Sequence, residues 1–232
     1  MILNIPADQV PTQGTYNKRV HKFALEESDF LNWLRDMQPW WAYTTHLLID
    51  AFPAEAKHYA RRFTKKKCSW ASVGYCASKQ QYYFGYKILL LCTRKGFPVQ
   101  WLILPARHHE VKWTSSLLLS HENKFVIGDK GFTSAKLFEH LLMEQSTHLF
   151  YPPKENSRES ELTVLGKKWM GDRKQVENFI SILERMGLNR PGGKSDTGNM
   201  ARIISGICAI GLMQVLKIRY KENLDLQGIM MN

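Results

Sequence analysis

The stretch that most constrains this chain is Phe125-Val126-Ile127-Gly128-Asp129-Lys130-Gly131-Phe132. It reads as a short buried strand that stops on a carboxylate and turns at Gly131. A carboxylate there is costly to bury without a partner. Two other segments answer to it. His46-Leu47-Leu48-Ile49-Asp50 is a second apolar run ending on an aspartate, with Pro53 just beyond. Arg173-Lys174-Gln175-Val176-Glu177 opens a helix in which Val176, Phe179, Ile180 and Leu183 recur at i, i+3, i+4 and i+7. Glu177 borders that apolar face and can project from the core edge toward the strand ends. Each acid also has an ordinary use. Asp50 can cap a turn before Pro53, and Glu177 can pair with Arg173 one turn earlier, a contact of little energetic weight. The expectation is that Asp50, Asp129 and Glu177 meet in space and hold divalent metal ions.

Charge says what such a site would face. The 32 Lys and Arg residues exceed the 21 Asp and Glu residues, for a net charge of +11, which favours a polyanionic partner, nucleic acid before membrane. A length of 232 residues allows one substantial core plus a small appendage. Cys68, Cys76, Cys92 and Cys208 form no C-x-x-C pair, which argues against a zinc site or disulfide framework and for reduced thiols in the cytoplasm. Residues 1–15 show no signal-peptide pattern. The apolar run 203–216 is short and interrupted by Gly and Ser, so it is expected as a buried helix rather than a membrane span.

In chain order, residues 1–15 read as an extended arm. A basic segment, 16–22, leads into a helix over 26–37 with Phe30, Trp33, Leu34 and Met37 at helical spacing. Together, residues 1–42 are expected to form an arm and a small helical subdomain. A core strand follows over 43–51. Residues 57–79 read as a basic insertion in which Arg61, Arg62, Lys65, Lys66 and Lys67 crowd together, with Lys79 at its end and Trp70, Tyr75, Tyr82 and Tyr83 nearby. Such a mixture suits DNA, cations on phosphate and rings on bases that leave the duplex. Aromatics packed inward under a charged loop would look similar. Strands are expected over 82–93 and 96–104, joined by a hairpin-length link ending in Gly96. His108-His109-Glu110 lacks helical H-x-x-x-H spacing, so a turn or supporting role for His109 is preferred over a metal-binding one. A helix over 111–121, the strand ending at Asp129, a helix over 134–145 capped by Ser134 and a strand over 147–151 follow. After a polar loop at 152–158 come the helix of Glu177, a glycine-rich connection over 187–198 and a closing helix over 199–220.

This order resembles the ribonuclease-H-like catalytic core of DDE transposases. Leu48-Ile49-Asp50-Ala51-Phe52-Pro53 resembles the first aspartate motif, with Ala51 where Ser is usual. Gly74-Tyr75-Cys76-Ala77-Ser78-Lys79, followed by Phe84-Gly85-Tyr86-Lys87, resembles the lead-in to the second strand. Gly128-Asp129-Lys130-Gly131-Phe132 resembles the second aspartate motif, and Arg173-x-x-x-Glu177 the helix donating the glutamate. Each motif alone is weak; their joint order is fairly specific. The nearest resemblance is to the bacterial insertion-sequence transposases of the family numbered 982, from about residue 16 to 220. Met170 stands where related enzymes often have Tyr, and Glu184, beside Arg185, where they often have Lys.

The resemblance implies an α/β fold, a mixed ribonuclease-H-like sheet flanked by helices over 43–220, with a C-terminal tail over 221–232. It implies a transposase that cleaves transposon ends and joins them to target DNA, using two Mg²⁺ or Mn²⁺ ions held by Asp50, Asp129 and Glu177, with Asp50 bridging both. Hard cations of this kind take oxygen ligands. Lys87, Lys130 and Arg173 are candidates for holding phosphate. A homodimer on DNA in the bacterial cytoplasm is implied, with no membrane and no nucleotide cofactor; no Gly-x-x-x-x-Gly-Lys-Ser/Thr loop is present. Two other readings compete: a truncated or inactive DNA-binding remnant, and a ribonuclease-H-like nuclease without strand transfer.

Overall fold

The computed structural model describes residues 26–63, 67–152 and 171–220, with isolated positions between 12 and 22. Most of the expected arm and basic segment, Lys65, Lys66, most of the polar loop at 152–158, Met170 and the tail at 221–232 lie outside the described residues.

A single long strand, β3 (Gln81–Thr93), is the spine. From Ile88 to Cys92 it is apolar and buried, as expected of a strand covered on both faces. Along one edge it pairs antiparallel with β1 (His46–Lys57), from Leu47 opposite Thr93 to Lys57 opposite Phe84. Its other edge is shared, with β2 (Ser72–Cys76) on Gln81–Gly85 and β4 (Pro98–Pro105) on Tyr86–Cys92. On the far side of β1, β5 (Phe125–Ile127) pairs in parallel with residues 46–48, and β6 (His148–Phe150) pairs in parallel with β5.

Helices make the crossovers. α1 (Glu27–Asp36) precedes the sheet, α2 (Val111–Leu118) joins β4 to β5, and α3 (Ala135–Gln145) joins β5 to β6. The Ser134 hydroxyl caps α3 by accepting from the Leu137 N–H. α4 (Arg173–Arg185) and α5 (Asp196–Tyr220) complete the chain. The result is the expected mixed sheet flanked by helices, compatible with a ribonuclease-H-like fold. α4 seats Val176 in a small buried cluster with Leu48, Cys92 and Ile127, which fixes that helix against β1 and β5.

Several details depart from the sequence reading. β1 does not stop near Asp50 but runs on through Pro53 to Lys57. β5 covers β1 only as far as Leu48. Beyond that point no strand among the described residues pairs with the outer edge, and the Glu55 N–H on that edge donates instead to the Asn189 carbonyl, at 2.7 Å. Pro53 lies two residues earlier, so its missing N–H faces the same open edge and costs no ladder bond. Asp50 therefore sits where β1 loses its neighbour, not where β1 ends.

The stretch 57–79 is not all loop, because Ser72–Cys76 pairs with β3 and sets Tyr75 opposite Tyr82. In α1 and at its C-cap, Trp33 and Met37 are exposed while Leu31 and Leu34 are buried, so the inward face is turned from the expected one. The cause is α5: a Cβ on Gly211 would stand 2.5 Å from the Leu31 side chain, so the two helices are in close contact there. Leu31 and Leu34 thus join the main buried cluster. The 203–216 run lies inside a helix starting at Asp196. By length and composition Asp196–Ile218 could cross a bilayer, yet Ile203, Ile207, Cys208 and Ile210 are packed in the core.

Candidate active site

A cleft of about 470 Å³ opens at the uncovered edge of β1. Because that edge is open, residues from both faces of the strand reach it. Asp50, Asp129 and Glu177 all line it, together with Glu110, Glu184, Lys79 and Lys87.

Local structure aims each acid. The Ala51 N–H, on the edge that β5 no longer covers, donates to Asp50 Oδ1 at 2.7 Å. The carboxylate thus satisfies a backbone donor that the sheet leaves over. Asp129 follows β5, and its Oδ1 accepts from the Gly131 N–H at 2.5 Å, capping the single turn Lys130–Phe132. Phe132 is buried and folds back over Gly128, where a Cβ would lie 2.9 Å from its ring. That packing anchors the turn and with it the Asp129 side chain. Glu177 is carried by α4 and accepts from Arg173 at 3.4 Å, the i,i+4 pair anticipated from spacing.

The electrostatics tie the three together. The Asp50 carboxyl is pushed up to about 6, first by burial and then by the negative charges of Asp129 and Glu177, with the Ala51 hydrogen bond and Arg173 opposing. Among the described residues, no three acidic, histidine or cysteine side chains are gathered closely enough to hold one ion. The acids share a cleft, and each is engaged by a local partner.

Glu110 and Glu184 were not singled out as site residues from sequence. Glu110 Oε2 lies 2.6 Å from Lys87 Nζ, and Glu184 Oε1 lies 2.8 Å from Lys79 Nζ. In sequence Glu110 is the tail of a His-His-Glu cluster, and that cluster does not act as a unit. His108 accepts from the Trp113 indole N–H at 3.2 Å, while His109 is exposed. A Cβ on Gly131 would stand 2.8 Å from Asp129 Oδ1 and 3.4 Å from Glu110 Oε1, so glycine leaves a small space flanked by two acids.

The cations expected on DNA are distributed unevenly. Lys87 is half-buried and held by Glu110, and Lys79 by Glu184, so neither presents an unengaged ammonium to the cleft. Arg173 is held by Glu177. Lys130 is exposed on the turn after Asp129, and Arg61 and Lys67 are exposed beyond β1. Arg62 is half-buried against aromatic rings. Tyr83, grouped by sequence with the stacking rings, is buried beside Cys76 and Ala106, on the opposite face of β3 from Tyr82.

Residues 41–212 match the family described as the transposase DDE domain, covering most of the chain. The chain belongs to this family. Transposition of DNA is therefore the context in which the cleft is read, and the matched span takes in Asp50, Asp129 and Glu177. No curated protein matches.

Proposed function

We propose that this DDE-domain protein is the transposase of a bacterial insertion sequence resembling the family numbered 982, cutting the element's ends and joining them to target DNA. The observation carrying this reading is the single cleft lined by Asp50, Asp129 and Glu177 at the uncovered edge of β1.

The residues fit a divalent cation. The donors are hard carboxylate oxygens. Asp50 retains its proton unusually far up the pH scale, first because it is buried and then because it faces Asp129 and Glu177, a cost that nearby positive charge relieves. The space at Gly131 is one a side chain would fill. Asp50, Asp129 and Glu177 would hold two Mg²⁺ or Mn²⁺ ions, whose chemistry is to activate the attacking oxygen and stabilise the leaving one in phosphodiester exchange. The chain's own groups do the rest. Asp50 is ionised above pH 6 and presents a carboxylate at the base of the cleft. Lys130 lies beside Asp129, and Arg173 stands one turn before Glu177, both placed to receive phosphate oxygens. Lys87 becomes available to phosphate once Glu110 lets go. No nucleotide is required, since one phosphodiester replaces another.

Labelled DNA carrying the element's ends, incubated with Mg²⁺ or Mn²⁺, tests this. Metal-dependent nicking that disappears in Asp129→Ala is expected. A second reading, a DNA-binding remnant that does not cut, draws on the absence of a preassembled three-ligand group among the described residues. Binding without nicking, unchanged in Asp129→Ala, would establish that reading instead.

A further inference from the structure

A row of π surfaces runs away from the cleft. Tyr75 lines the cleft itself. Its ring centroid lies 5.1 Å from that of Tyr82, directly opposite on β3. Tyr82 stacks on Tyr59 at 6.3 Å with the planes 29° apart. The Arg62 guanidinium lies 4.4 Å from the centre of Tyr59 and 4.3 Å from that of Phe63. Tyr75, Tyr82 and Phe63 are 52%, 61% and 77% exposed. Keeping large rings in water forgoes the burial energy that aromatic side chains usually supply, and here they are continuous with one another and with the candidate active site. The exposed Arg61 shares the turn of Tyr59 in this row.

We propose that this row receives the unpaired bases of a DNA strand leaving the carboxylate cleft, so that it is a single-strand-selective platform. The proposal deepens the transposase reading and rests on it for its place in a reaction. Duplex DNA hides its base faces and offers only phosphate to such a surface. An unpaired strand offers both phosphate for the cations and a π face for each ring. Sequence tolerance follows, since every base has a stackable face. Tyr82 is central, touching both Tyr75 and Tyr59, and the Tyr hydroxyls are not needed for stacking.

The test is binding of a fluorescent oligothymidylate, against a duplex of equal length, by the full chain in metal-free buffer. Tyr82→Ala and Tyr75→Ala should each weaken single-strand binding about tenfold and leave duplex binding as it was. Tyr82→Phe should bind like the parent. An oligonucleotide bearing 5-iododeoxyuridine should photo-crosslink to Tyr75 or Tyr82. Because both side chains are exposed, the alanine variants should melt like the parent, so lost binding will report on the surface itself. Single-strand affinity unchanged in both alanine variants would overturn the proposal, as would equal losses for single and double strands. Retained single-strand binding with altered sedimentation would mark the row as a contact between two copies, and would overturn it too. Nicking is scored separately. If the rings govern single-strand binding but metal produces no nicks, the platform stands and the cutting reading falls; nicking with indifferent rings gives the converse.

Discussion

Among the described residues, two clefts of nearly equal size are built on opposite principles. One, of about 470 Å³, holds Asp50, Asp129 and Glu177. The other, of about 460 Å³, is lined by Arg35, Trp41, Gln100, Trp101, Ser120 and His121 among others. In the second, polar groups settle one another. Gln100 Oε1 receives both His121 Nε2 at 2.7 Å and the Ser120 hydroxyl at 3.1 Å. Arg35 donates to Asp36 and lies over the Trp41 ring. His121, buried and near the positive Arg35 and Lys124, is held neutral, its pKa lowered to about 4. In the first cleft Asp50 is left reluctant to ionise, first by burial and then by the facing charges of Asp129 and Glu177. Volume does not separate the two clefts; what does is that one gathers several carboxylates and the other sets its imidazole among cations with an amide oxygen to bind.

The widest gap between the two should appear in DNA cutting. Asp129→Ala or Asp50→Asn is expected to reduce metal-dependent nicking by at least about 100- to 1,000-fold, the scale of losing a group that acts on transition-state charge. His121→Gln, in the other cleft, should leave it unchanged. A gel-based nicking assay reads both, and a His121 variant as dead as Asp129→Ala would erase the distinction drawn here.

Stability should move the opposite way. Asp50 has a folded pKa near 6 against an ordinary 3.8. An acid whose pKa is raised by folding binds its proton more tightly in the folded state. The cost to stability is therefore absent below the unfolded value, grows as pH rises through 4 to 6, and is complete above. Two units correspond to about 3 kcal/mol as an upper bound. Asp50→Asn should thus raise the thermal midpoint of the metal-free protein at pH 8, and that gain should vanish near pH 4. Added Mg²⁺ should raise the midpoint of the parent but not of the variant. A destabilised Asp50→Asn at pH 8 would mean that the carboxylate is held for the Ala51 hydrogen bond rather than for a cation.

The sequence made part of this comparison visible because strand order is written in apolar periodicity. β3, β4, α3 and α4 fall where the pattern puts them, and Asp50, Asp129 and Glu177 line one cleft without forming a close three-ligand group among the described residues. What stayed hidden depends on edges. Nothing in the composition of 43–51 says that β5 will cover only three residues of β1, which lets the strand continue through Pro53. Tyr75 and Tyr83 looked alike as aromatics in a basic stretch. Strand alternation and the pairing of β2 with β3 leave Tyr75 exposed and Tyr83 buried. Glu110 and Glu184 reach the cleft from α2's start and α4's end, and only tertiary packing reveals such neighbours.

In the second cleft the expected effect is smaller and of the other sign. Gln100→Ala removes the acceptor of a buried imidazole and should cost about 1–3 kcal/mol. Because folding lowers the His121 pKa, the unfolded chain takes up a proton first as pH falls. Parent stability should therefore decline from pH 6.5 toward 4 at this residue, in the same window where Asp50 restores some. His121→Gln should flatten that decline in a pH series of urea melts, exposing the Asp50 contribution alone. A decline of equal slope in the variant would assign it to other groups.

The smallest stability effect belongs to a residue of the first cleft. Glu177 is exposed, and Arg173 lies 3.4 Å from it on the same helix. An exposed i,i+4 pair contributes about 0.5 kcal/mol or less, so Glu177→Gln should melt within about 2 °C of the parent. The same substitution should nonetheless suppress nicking and weaken Mn²⁺ binding followed by electron paramagnetic resonance. A side chain that the fold does not need, yet whose loss removes metal binding, is kept for chemistry. Should Glu177→Gln lower the midpoint substantially while Mn²⁺ binding persists, the glutamate would be structural, and α4 would offer the cleft only Glu184, which Lys79 already holds.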